Sequence, residues 1–158
     1  MLGSLRLLLG QLVSNLGFSE DDVLDENKTY KPETVSALYA FKKEKTFKLN
    51  EHERYAKMQE FVIKLSEIYE IEPVVRIIRR NSDHVDSAGS CANPDTKTIC
   101  MSGPLSIITL LHEFAHIKGI EEELAAQKWA VNLFRKVYPK QFARLVFKDG
   151  QFVRTDDT

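Results

Sequence analysis

The sequence predicts an α+β fold. Helical apolar spacing fills the first and last thirds of the chain, while residues 73–102 switch to short β-branched runs separated by turn residues. The resulting order is N-terminal helices, one long helix, three strands and two further helices.

Leu2, Leu5, Leu9, Leu12 and Leu16 share one face, so residues 2–16 read as an amphipathic helix. Arg6, Gln11 and Asn15 interrupt the leucines. No run reaches membrane-spanning length, and no uninterrupted apolar core of a secretion signal is present. The expectation is a protein with no membrane span and a cytoplasmic location. Residues 18–31 hold Glu20, Asp21, Asp22, Asp25 and Glu26, and read as an acidic linker into a helix over roughly 33–46. Lys42, Lys43, Lys45 and Lys48 read as a solvated face. Residues 1–48 are therefore expected to be an N-terminal helical extension, and 49–158 one compact unit.

Asn50 caps a long helix, with Glu53 three positions on as in a capping box. Met58, Phe61, Val62, Leu65 and Ile68 give it a core-facing stripe. His52 falls in its exposed first turn and needs no function. Pro73 to Arg80 is short and β-branched, a strand. Runs 87–93 and 97–102 flank Pro94-Asp95-Thr96 and read as a hairpin. Cys91 and Cys100 lie symmetrically about that turn and could face each other across the strands; reduced thiols are the expectation in a cytosolic protein, with a disulfide as the alternative. Beyond Pro139, Lys148-Asp149-Gly150-Gln151 reads as a turn between Val146-Phe147 and Phe152-Val153.

At 158 residues the chain can bury a core without disulfide staples. Lys plus Arg number 22 against 23 Asp plus Glu, which leaves no electrostatic case for nucleic acid or an anionic membrane.

The chemistry concentrates in Leu111-His112-Glu113-Phe114-Ala115-His116-Ile117-Lys118-Gly119. This contains His-Glu-x-x-His, which puts His112 and His116 one helical turn apart on one face, where two imidazoles can grip one metal ion. Glu113 points to the neighbouring side, placed to act as a base on water. Leu105, Ile107, Ile108, Leu110, Phe114 and Ile117 make this helix almost continuously apolar, hence buried. Buried imidazoles and carboxylates need partners, and one metal ion serves all of them. Gly103-Pro104 opens the helix and Gly119 closes it. A third ligand should follow, and the chain offers Glu121, Glu122 and Glu123. Leu124, Ala126, Trp129, Ala130, Leu133, Phe134 and Val137 then keep helical spacing from near Ile120 to Pro139. An acidic first turn there also suits the helix dipole with no metal present.

The segment Glu123-Leu124-Ala125-Ala126-Gln127-Lys128-Trp129-Ala130 resembles the glutamate helix of gluzincin metallopeptidases, which reads Glu-x-x-Ala-(Asp/Asn)-x-(Phe/Trp)-Ala. The resemblance covers about residues 51–138 and is closest to minigluzincins and ImmA-type phage and plasmid peptidases. It implies a zincin-like fold: a long backing helix, a small three-stranded sheet, an active-site helix and a glutamate helix. It implies zinc (Zn2+) on His112, His116 and Glu123, with Glu113 as general base, and a peptide or protein substrate cut internally. The strand near Thr96–Met101 would be the rim that pairs with an extended peptide. Gln127 departs from the family's Asp or Asn. The stretch also fits His-Glu-x-x-His-x-x-Gly-x-x-Glu, a metzincin-like reading with Glu122 as third ligand. Tyr138, His84 and Arg144 are candidates for an oxyanion donor. A non-catalytic metal-binding regulator is the rival reading, against which the intact Glu113 argues. Two His and a carboxylate also suit iron, but the helical pair with Glu between favours zinc.

Overall fold

A computed structural model describes residues 18–25, 30–74, 76–79, 90–102 and 106–154. The helix expected over 2–16, His84, and the Gly103-Pro104 helix opening lie outside these residues.

The fold is α+β. Ser19 caps a short helix, α1 (Glu20–Val23), through a reciprocal pair of bonds with Asp22. Pro32 opens α2 (Pro32–Lys43), and a single turn of tighter helix follows at Thr46–Lys48. The Asn50 side chain accepts from the Glu53 N–H at 2.9 Å and starts α3 (Glu51–Ile68). Three short strands come next: β1 (Arg76–Arg79), β2 (Cys91–Asn93) and β3 (Thr98–Met101). Then come α4 (Ile107–Ile117), α5 (Glu123–Val137) and α6 (Pro139–Phe142). The hairpin β4 (Leu145–Lys148) and β5 (Gln151–Arg154) ends the described chain, turning on Asp149 and Gly150, both with positive φ as the tight two-residue turn demands.

The sheet corrects one expectation. Its order is β1-β3-β2, with β1 parallel and β2 antiparallel to β3. The strand at Thr98–Met101 is therefore the centre of the sheet and not its rim, because both of its edges are taken. The two edges differ. Outside β1, the Gln59 side chain of α3 accepts from the Ile77 N–H (3.0 Å) and donates to the Val74 carbonyl (2.7 Å). That covers the β1 edge and ties the long helix to the sheet. Among the described residues β2 is the other edge strand, and α4 packs against β2 and β3.

One core joins all layers. Leu38 and Phe41 of α2, Phe61 and Leu65 of α3, Ile99 of β3, Leu110 and Phe114 of α4, and Trp129 and Leu133 of α5 belong to it. Each fully buried Leu or Phe contributes about 1.5–3 kcal/mol by leaving water. Among the described residues, no helix is long and apolar enough to cross a membrane.

Two surface readings also change. Residues 18–25 are a docked segment, not a loose linker. Val23 is fully buried, Asn132 of α5 donates to the Val23 carbonyl (2.9 Å), and its side-chain oxygen accepts from the Asp25 N–H (3.0 Å). Lys42 is not a solvated charge. Its ammonium donates to the Val137 carbonyl at 2.8 Å, where a cation complements the negative end of α5.

Asn132→Ala should lower stability by about 2 kcal/mol, because it removes the bonds to the Val23 carbonyl and the Asp25 amide while keeping the helix. Urea denaturation measures this, and limited proteolysis should cut near residues 19–25 faster in the variant. An unchanged midpoint and cleavage rate would refute the docking role.

Candidate metal centre

Ser106 begins α4 by accepting from the Thr109 N–H at 3.3 Å. Leu110, Leu111, Phe114 and Ala115 are fully buried, so the helix face is fixed by packing. That register sends His112 and His116 toward α5. Their rings sit 4.9 Å apart, centroid to centroid, inclined at 73°.

How α4 ends decides where Glu123 begins. The Gly119 N–H donates to the His116 carbonyl (3.1 Å) and the Ile120 N–H to the Ala115 carbonyl (3.0 Å). This is the Schellman arrangement, with Gly119 at φ +117° in the left-handed region. Ile120 packs against the core, so its carbonyl is held close to the helix end. The His116 Nδ1–H donates to that carbonyl at 2.7 Å. The chain then turns straight into α5, with Glu122 at the N-cap and Glu123 as first helical residue.

The His112 Nδ1–H donates to the Gln127 side-chain oxygen at 2.8 Å. The longer glutamine thus reaches the place where the resembled family carries Asp or Asn. Both imidazoles now have Nδ1 protonated, which leaves the Nε2 lone pairs facing inward. His112 Nε2 lies 2.9 Å from one Glu123 oxygen, His116 Nε2 lies 3.0 Å from the other, and the two nitrogens are 3.2 Å apart. Two imidazole nitrogens and two carboxylate oxygens converge with nothing between them that donates. Only a proton or a cation satisfies such a group.

The charge balance says the same. Burial disfavours the His112 imidazolium, but the hydrogen bond to Glu123 and the charges of Glu113 and Glu123 outweigh it and raise its pKa. Burial likewise opposes ionisation of Glu123, yet its bonds to His112 and His116 pull its pKa from 4.5 to about 2. The fit to a metal is good. Zinc bonds of about 2.0–2.1 Å in a tetrahedron put ligand atoms about 3.3 Å apart. His112, His116 and Glu123 form the one group of three or more potential ligand side chains among the described residues.

Glu113 is buried beside this group, close enough for its charge to act on His112. Glu122 is exposed and its side chain caps nothing. Tyr138 does not approach the group. It lies fifteen residues along α5 from Glu123, about 22 Å at helical rise. There it stacks on Phe134 in the core, and burial raises its pKa to about 12. Arg144 is exposed in the turn leading from that far end into β4. Gln127 is the residue whose role the sequence leaves open. Its spacing of four from Glu123 puts both on one helix face, which is the signal the sequence offers.

Glu123→Ala should cut metal affinity at least tenfold, and Glu122→Ala should leave it within a factor of two, read by chelator competition. The reverse order would move the third ligand to Glu122. In the metal-free protein the lowered pKa of Glu123 means the fold favours its ionised form. That stability is present above about 4.5 and is lost as pH falls towards 2. Glu123→Gln should flatten this acid limb in thermal melts. The chain matches no protein-family model, and no curated protein or solved structure matches it.

Proposed function

We propose that this chain is a zinc-dependent metallopeptidase of the gluzincin type, with a zincin-like core formed by α3, the three-stranded sheet, α4 and α5. One observation carries the reading. His112, His116 and Glu123 direct their lone pairs to a common point, each imidazole is locked from behind, and a buried carboxylate, Glu113, stands beside them. A protein that only stored or sensed metal would have no use for that last carboxylate.

His112, His116 and Glu123 would hold the ion. Bound zinc supplies Lewis acidity, which polarises a scissile carbonyl and makes a water molecule more acidic. Glu113 takes the proton from that water and delivers it to the departing amine nitrogen. Gln127 and the Ile120 carbonyl keep the imidazoles in the tautomer that leaves Nε2 unprotonated. The substrate is a peptide in extended form, laid along β2 so that main-chain bonds hold it beside α4. Recognition of that kind reads backbone more than side chains.

Glu113→Gln should retain stoichiometric zinc and lose at least about a hundredfold in kcat/KM on an unstructured protein substrate such as casein. Elemental analysis and a fluorescent peptide-library assay check the two halves. A wild-type protein that holds zinc and cleaves nothing would instead be a metal-binding regulator. A variant with full activity would remove Glu113 from the chemistry.

A further inference from the structure

Cys91 and Cys100 take no part in the centre described above. They stand directly opposite each other in the antiparallel β2–β3 ladder. Opposed residues of such a pair project to the same face, with Cα atoms about 4.5 or 5.5 Å apart depending on ladder position. Both separations fall in the range of about 4.4–6.8 Å that a disulfide spans. Alternating burial identifies the face. Ala92, Ile99 and Met101 point into the core, so the two thiols lie on the opposite side of the sheet, half-buried and within reach of solvent.

The hairpin already holds them together. Only residues 94–97 connect the strands, and the Asn93 side chain accepts from the Asp95 and Thr96 amides at 3.0 and 3.2 Å. Ring closure between the cysteines therefore costs little further chain entropy. Opposed Cβ atoms in a ladder sit about 4.5–5.5 Å apart, against about 3.8 Å in a relaxed disulfide. Joining them draws the strands inward, and a bond formed under that strain is easily reduced again.

We propose that Cys91 and Cys100 are a reversible redox pair that fastens the rim strand β2 to the centre of the sheet. The oxidant is a low-molecular-weight disulfide. One cysteine thiolate attacks it, releasing one small thiol and leaving a mixed disulfide on the protein. The second cysteine thiolate attacks the protein-side sulfur and expels the other small thiol. Two protein thiols are oxidised, one small disulfide is reduced to two thiols, and the two cysteine protons end, by way of solvent, on the two small thiols released. A dithiol reductant reverses the sequence. The inference needs neither the metal nor peptidase activity.

The test treats the full chain with oxidised glutathione, blocks remaining thiols with N-ethylmaleimide, and measures intact mass. The wild type should lose two hydrogens, take up no maleimide, keep no glutathione and remain uncrosslinked between chains. Reductant should restore both thiols. Amide exchange of β2 should slow about tenfold on oxidation, because opening the rim now strains a covalent link. Cys100→Ser should stall with glutathione on Cys91. Two thiols that stay alkylatable, a lasting glutathione adduct on the wild type, or a crosslinked dimer would overturn the proposal. So would a disulfide that leaves β2 exchange unchanged.

Discussion

The structure turns on one electrostatic constraint. His112 Nε2 and His116 Nε2 lie 3.2 Å apart, at 2.9 and 3.0 Å from different oxygens of Glu123, so their facing lone pairs call for a proton or a cation. Without a cation a proton must serve, which is why, against burial, the bond to Glu123 raises the His112 pKa and the bonds to the two imidazoles lower that of Glu123. The fold holds this group in place from outside. Gln127 and the Ile120 carbonyl take the outer imidazole protons, and packed apolar faces fix both helices. The rigidity of that frame keeps the converging atoms together, in an arrangement that could hold a cation.

Much of this is legible in the sequence because it is local. All three converging residues lie within one helix end, one turn and the next helix start. Helical period, the Gly119 stop and the acidic start of α5 are short-range signals, and each describes the backbone that forms. The hairpins at Asn93–Thr98 and Lys148–Gln151 are readable for the same reason, since turn residues act within four positions. The Asn50 cap is another such case.

What the sequence hides is long-range. The β2–β3 hairpin says nothing about which of its strands receives β1, so the central place of β3 comes only from the parallel pairing of Arg76 with Thr98. Asn132 and Val23 are 109 residues apart, and no pattern in an acidic stretch announces that a distant amide will dock it. Lys42 reads as one of a cluster until the end of α5 gives it a carbonyl. Tyr138 is a different case. Its distance from Glu123 follows from helical rise alone, so counting residues along α5 is enough to exclude it as a reacting group.

Glu123 finally joins two explanations that look like rivals. An acidic residue in the first turn of a helix needs no metal to account for it, since the exposed amides there favour negative charge. Here the same residue is also the one that reaches both imidazoles. The dipole suits a carboxylate at the start of α5, the bonds to His112 and His116 hold it ionised against burial, and the Schellman turn decides that this start falls against those two imidazoles. A site can then arise with few special residues. A glycine ends one helix, an acid begins the next, and the tight turn between them brings the charge to the histidines. Glu122 has the same charge one position earlier, but it sits before the helix begins and faces solvent. The single step in register separates an exposed charge from one that reaches both imidazoles.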